Sequence, residues 1–186
     1  MGSEMCIRDR VEINKKNVVK VLPPIKMATK ISVSGNIAIL TTLAAVKSKK
    51  LSEFIKKNRL PKHINIKKMN ASRLVQLVES AKFIDNQNLC NTVVRKTLSE
   101  QFSKYNIDVA TLSSTHLPFL LPFLKKQFPY VTFLDPAQEI ANKVRKVMGK
   151  KPSKRNSMKI FTSSNPEKFQ NHLWKMGIKK KVSFLN

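Results

Sequence analysis

The 186-residue chain is poor in cysteine, in glycine and in long hydrophobic runs. Its two cysteines, Cys6 and Cys90, lie far apart, and neither belongs to a close group of cysteine and histidine residues. A disulfide scaffold needs several cysteines, and a zinc module needs a close group of cysteine and histidine ligands. Both are therefore excluded. No run of about 18 apolar residues is present, which leaves no candidate for a membrane-spanning helix.

Acidic residues are also scarce, because 11 Asp and Glu stand against 36 Lys and Arg, for a formal net charge of +25. Such an excess can indicate a polyanionic partner, either nucleic acid or an anionic membrane. It can equally reflect a composition rich in Lys, Asn and Ile that covers the surface with lysine. Aromatic residues make up 7% and do not alternate with basic ones as a base-stacking surface would require. We therefore favour the second explanation and expect neither a nucleic-acid nor a membrane partner.

Short apolar runs alternate with segments of helical periodicity along most of the chain. Strands are predicted at 36–41, 63–69, 108–112, 131–134 and 160–162, and helices at 44–58, 71–84, 90–105, 117–128, 137–148 and 166–176. Strands that alternate with helices are typical of βαβ units. The predicted fold class is α/β, with a parallel sheet flanked by helices.

The two ends of the chain differ from its middle. Residues 1–10 carry balanced charge, one cysteine and two of the seven methionines, and we predict that they are a foreign leader or artefact. Residues 11–148 are predicted to form the α/β domain, and 149–157 a basic loop. Residues 158–186 are predicted to add a strand and a helix that pack back on the same fold.

One segment, Ser113-Ser114-Thr115-His116, concentrates reactive side chains between a predicted strand and a predicted helix. Open α/β sheets bind ligands beyond the carboxyl ends of their strands, and a helix start offers N–H groups to a carboxylate or phosphate. The hydroxyls would add donors, and His116 could exchange a proton near neutral pH. Ser114 or Thr115 could instead simply cap the helix, with His116 as a turn residue.

Other polar positions allow a structural role as well as a functional one. Thr41 and Thr42 follow the first predicted strand, where they could contact a ligand or cap the next helix. Asp135 ends another predicted strand, and we interpret it mainly as a helix cap. Cys90 lies on an apolar helical face, which favours a buried packing residue over a nucleophile.

Five stretches of the chain carry recognisable motifs. In order they are NIAILTTLAAVKS, the segment from Ala71 to Glu79, TLSSTHLPFLLPFL, TFLDPAQEIA and FTSSNPEKF. They resemble, in the same order, motifs of the aspartate/glutamate racemase family, and of glutamate racemases in particular. The third is similar to the family's Gly-Cys-Thr-His-Tyr-Pro loop and the leucine-rich helix after it. The second is similar to its Ala-Cys-Pro helix, with Ser72 in place of the Cys. The resemblance runs from about Val11 to the C-terminus.

The resemblance implies cofactor-independent interconversion of L- and D-glutamate, with no metal. Two thiols on opposite faces of the substrate remove and return the α-proton, a role for which a thiol pKa near 8.5 is well suited. The implied partner is a small molecule, glutamate or a similar dicarboxylate. A cytoplasmic location follows, and a homodimer is left open. Carried over by position, Ser114 and His116 become candidate catalytic residues, and Thr115, His116, Thr41 and Thr42 candidate substrate contacts.

Two departures from the family pattern bear on activity. Ser114 stands where the family has its second catalytic cysteine, and a serine hydroxyl is a poor base unless His116 activates it. The family's Asp-Ser-Gly loop and first Cys-Asn-Thr loop are not found, and Cys90-Asn91-Thr92 spells that tripeptide too late in the chain. We therefore expect the N-terminal lobe to be largely missing and this chain to be an incomplete, inactive fragment.

Two alternatives stay open at this point. The first is a one-cysteine relative that isomerises or decarboxylates a small dicarboxylate. The second is a non-enzymatic basic protein that binds nucleic acid through the large positive charge.

Overall fold

A computed structural model describes residues 19, 21–149 and 157–185, and the prediction of a leader at 1–10 lies outside these residues. The strands are β1 (Asn36–Thr41), β2 (Asn65–Asn70), β3 (Val109–Leu112), β4 (Thr132–Leu134), β5 (Ile160–Thr162) and β6 (Val182–Phe184). The first four form a parallel sheet in the order β2-β1-β3-β4, and β5 pairs in parallel with β6. The predicted α/β class, a parallel sheet flanked by helices, is confirmed.

Nine α-helices are found in the described part of the chain. They are α1 (Ile25–Ile31), α2 (Leu43–Lys47), α3 (Lys49–Lys57), α4 (Ser72–Glu79), α5 (Lys82–Asp85), α6 (Gln87–Lys104), α7 (Leu121–Gln127), α8 (Ala137–Met148) and α9 (Pro166–Lys175). The prediction matches α8 at both ends, whereas α1 and β6 were not predicted. Both are short, at seven and three residues, so each shows too few repeats of an apolar pattern to be recognised.

Two predicted helices are wrong in their continuity. The segment 44–58 is broken at Ser48, whose extended backbone (φ −69°, ψ 127°) ends α2 and starts α3. The segment 71–84 is broken at Ala81, which adopts a left-handed conformation with φ 57°. A single apolar stripe therefore runs across two helices in each case, and periodicity alone does not reveal the break.

The helix predicted at 117–128 is also interrupted. It begins as a 3₁₀ turn (Leu117–Leu120) and becomes the α-helix α7 only at Leu121. Pro122 has no N–H and cannot donate to the carbonyl of Pro118, so the first turn cannot close as an α-helix. The helix start expected after Ser114 is therefore a short 3₁₀ turn.

The main hydrophobic core lies on the face of the sheet covered by α4, α6 and α7. Its largest fully buried side chains include Leu40, Leu74, Leu98, Phe102, Leu112, Leu117, Leu120 and Leu124. On the other face, Ala28 of α1 packs against Ile37 and Val109. The two central strands β1 and β3 are thus buried on both sides, as expected of a parallel sheet.

Asp108 ties the beginnings of the central strands together. Its carboxylate accepts hydrogen bonds from the hydroxyl of Ser32 (2.7 Å) and from the backbone N–H groups of Val33 (2.6 Å) and Ser34 (2.8 Å). Partial burial alone would raise the pKa of Asp108, but these hydrogen bonds outweigh it and lower the pKa below its usual value. The ionised carboxylate therefore fixes the loop before β1 to the start of β3.

The C-terminal strands form a small unit with α9. Leu173 of α9 and Val182 of β6 are buried within it, and Lys175 forms an ion pair with Asp85 of α5 at 2.7 Å. The packing of 158–186 on the α/β domain stays a prediction, as do the domain boundaries. Most of the basic loop predicted at 149–157 lies outside the described residues. None of the helices described is both long and apolar enough to cross a membrane.

Candidate functional site

The carboxyl ends of β1, β2 and β3 lie side by side. The parallel register pairs Thr41 with Asn70 and Leu40 with Leu112. It continues one residue further, because the N–H of Ala71 donates to the Thr41 carbonyl at 2.7 Å and the N–H of Ser113 to the Leu40 carbonyl at 2.9 Å. The residues that follow all three strands therefore converge on one edge, as predicted for a ligand site.

Ser114 and His116 face each other at this edge. The Oγ of Ser114 lies 3.3 Å from Nδ1 of His116 and also accepts the His116 backbone N–H at 3.4 Å. Ser114 is 5% exposed, whereas the His116 side chain is 29% exposed. The serine is thus a buried hydroxyl whose hydrogen-bond partner is an accessible imidazole.

Glu79 extends this pair towards solvent. It is the last residue of α4, and its Oε1 lies 3.8 Å from Nε2 of His116 with the carboxylate side chain 55% exposed. A neutral His116 that accepts at Nδ1 carries its proton on Nε2, which faces the carboxylate. Sequence analysis assigned no role to Glu79. The available signal was its place at the end of the Ala71–Glu79 motif.

Thr41 and Thr42 occupy different environments. Thr41 is buried and its hydroxyl donates to the carbonyl of Ser113 at 3.3 Å, so it joins the ends of β1 and β3. Thr42 is the N-cap of α2, where its Oγ1 accepts the N–H of Ala45 at 3.4 Å. A capping hydroxyl still has its own O–H to donate, which lets Thr42 serve a ligand as well.

The other sequence candidates are Thr115, which lies at this edge, and Asp135 and Cys90, which have structural roles. Thr115 is exposed beside His116. The Oδ1 of Asp135 accepts the N–H of Ala137 at 2.9 Å, as a helix cap does. Cys90 is buried inside α6, and burial raises the pKa of its thiol, so it cannot act as a ready base. Among the described residues there is no cluster of three metal-binding side chains.

Several curated proteins that are similar in sequence to this chain are glutamate racemases. The glutamate racemase of Bartonella quintana is 31% identical over 178 residues, covering 89% of this chain and 64% of the relative. That of Bartonella tribocorum is 31% identical over 183 residues, with the same two coverages. The chain is homologous to glutamate racemases. It spans just under two thirds of the length of these relatives. No protein-family model matches the chain.

Solved glutamate racemase structures show the same fold. The Escherichia coli enzyme, in complex with L-glutamate and the activator UDP-MurNAc-Ala, superposes with a TM-score of 0.74 at 22% identity, covering 90% of this chain and 64% of that one. The Francisella tularensis enzyme, in complex with D-glutamate, gives 0.72 at 19% identity, covering 99% and 68%. The expected glutamate racemase-like fold is thereby confirmed. The homology favours neither the one-cysteine relative nor the nucleic-acid-binding protein.

Proposed function

We propose that this chain is a glutamate racemase-like protein that binds glutamate at the strand ends and exchanges its α-proton there. The observation that carries the proposal is the Ser114–His116 contact of 3.3 Å, at the position that resembles the family's thiol loop. The relatives named glutamate racemase support the reaction, and the two neighbours solved with glutamate support a small dicarboxylate as substrate.

The substrate carboxylates would be bound by hydroxyl and imidazole donors. Thr42, Thr115 and His116 supply these at the edge of the sheet, within the positive field of a chain of net charge +25. Thr41 contributes indirectly, because its hydroxyl holds the Ser113 carbonyl and thereby the start of the Ser114 loop.

Ser114 would exchange the α-proton with His116 as its partner. As the hydroxyl takes up the α-proton, its own proton passes to Nδ1 of His116, so no free alkoxide has to form first. The imidazolium produced in this step is stabilised by the carboxylate of Glu79, 3.8 Å from Nε2. A serine is harder to ionise than a thiol, and we therefore expect the step to be slow.

Inversion at Cα needs a second acid–base group on the opposite face of the substrate. The described residues at the strand ends supply one such pair, Ser114 and His116. We accordingly propose that this chain by itself exchanges the α-proton on one face and does not racemise glutamate. We also propose a cytoplasmic location, which the family resemblance implies, and a homodimer stays open.

Binding can be tested by NMR with ¹⁵N-labelled chain titrated with L-glutamate and with D-glutamate. We expect shifts centred on the amides of Thr42 and of residues 114–116, and loss of these shifts in Thr42→Ala and His116→Ala. Ser103→Ala is the matched control, because Ser103 is exposed on α6. Shifts that are absent, or that persist unchanged in both site variants, would refute the proposed site.

A further inference from the structure

Helix α2 is short, and hydrogen bonds hold both of its ends. It has five residues, none of which is buried, and a helix of that length is not stable on its own. Its N-cap bond from Ala45 to Thr42 is long, at 3.4 Å. Yet α2 begins directly after Thr42, so the position of this helix decides where the Thr42 hydroxyl lies.

Two side chains, one from β2 and one from the start of α4, bind the ends of α2. At the N-terminal end, Oγ of Ser72 accepts the N–H of Leu43 at 2.9 Å. At the C-terminal end, Nζ of Lys68 donates to the carbonyl of Val46 at 2.8 Å and to Oγ of Ser52 on α3 at 3.0 Å. Lys68 therefore bridges both helices at the break between them.

The two hydrogen bonds donated by Lys68 are stronger than those between neutral groups. Its ammonium is a charged donor, and Lys68, Val46 and Ser52 are each half-buried, which lessens competition from water. Its neighbour Lys67 points to the opposite face of β2, where its Nζ lies 4.6 Å from the centroid of the Tyr105 ring. Two adjacent lysines of one strand thus have separate partners.

We propose that Lys68 is a positioning residue for substrate binding. It fixes the C-terminal end of α2, and Ser72 fixes the other end, so that the Thr42 hydroxyl is held at the edge of the sheet where β1 ends. This inference rests on the proposed function, in which Thr42 contacts glutamate.

The test compares Lys68→Met with the matched control Lys67→Met. The first readout is amide hydrogen exchange, which needs no substrate. We expect the amides of residues 43–47 to exchange about tenfold faster or more in Lys68→Met. The reason is that this variant loses the charge-assisted hydrogen bond from Lys68 to the Val46 carbonyl, which holds the end of α2. Lys67→Met should leave those amides unchanged, and Lys68→Arg should restore part of the protection.

The second readout is glutamate affinity by NMR titration. Lys68→Met should raise the Kd about tenfold, with Lys68→Arg between it and the unmodified chain. Unchanged exchange at 43–47 would overturn the role of Lys68 in holding α2. Faster exchange with an unchanged Kd would also overturn the proposal, since Lys68 would then be merely structural. If the unmodified chain binds no glutamate, the proposed function fails and the substrate part of this proposal with it, while hydrogen exchange still decides whether Lys68 holds α2.

Discussion

Asp108→Ala removes the carboxylate that joins the starts of β1 and β3. Three short hydrogen bonds are lost, two of them from backbone N–H groups, at 2.6–2.8 Å. A hydrogen bond to a charged acceptor contributes about 1.5–3 kcal/mol to the free energy of unfolding. Because Asp108 is partly exposed and the three bonds are not additive, we expect the variant to lose about 3 kcal/mol in total. Urea unfolding at pH 7 should show this loss, with an unchanged m-value.

The same variant should change how stability depends on pH. The folded-state pKa of Asp108 is lowered, so its contribution is present above the unfolded pKa, about 3.9, and is lost as pH falls through the folded value. The difference between the unmodified chain and Asp108→Ala should therefore shrink below about pH 4. Asp135→Ala is the control, because that exposed carboxylate accepts one N–H and should cost about 1 kcal/mol or less. An Asp108→Ala variant no less stable than Asp135→Ala would refute the reasoning.

Other predictions concern the core and the backbone. Phe102→Ala should cost about 3–5 kcal/mol in urea unfolding, since the ring is fully buried 4.8 Å from that of Phe128; a loss below about 1 kcal/mol would contradict the packing. Gly35→Ala should lower the melting temperature, because φ is +75° and a Cβ would lie 2.5 Å from the His63 carbonyl oxygen. Burial raises the pKa of the Cys90 thiol, so mass spectrometry should find a thiol reagent on Cys90 only after unfolding in urea; rapid labelling of the native chain would contradict this.

The sequence predicts the sheet well because its strands are distinctive. The run at 36–41 contains four consecutive apolar residues and becomes β1, one of the two central strands, which is buried on both faces. Helix breaks are harder to predict, because they depend on single residues such as Ser48 and Ala81. Neither is a glycine or a proline, so no local signal marks the turn, and the surrounding packing imposes it.

The location of the candidate site could be predicted from the sequence, but not all of its residues and their contacts. The position of Ser114 and His116 after a strand was enough to place them at the edge of the sheet. Their contact with Glu79 was not predictable, because it joins the end of α4 to the loop after β3, 37 residues away in the chain. The distinct roles of Thr41 and Thr42 were not predictable either. The two residues are adjacent, yet Thr41 is the buried end of β1 and Thr42 is the N-cap of α2.

The central claim about this protein is that the Ser114–His116 pair exchanges the α-proton of glutamate. We would follow L- and D-glutamate in D₂O by ¹H NMR, with chiral analysis of the product, for the unmodified chain, Ser114→Cys and His116→Ala. Ser103→Cys controls for a thiol placed away from the site. The account predicts slow exchange of one enantiomer without racemisation, faster exchange in Ser114→Cys, and none in His116→Ala. Exchange that is equal in all four proteins, or absent even with the thiol at position 114, would contradict it.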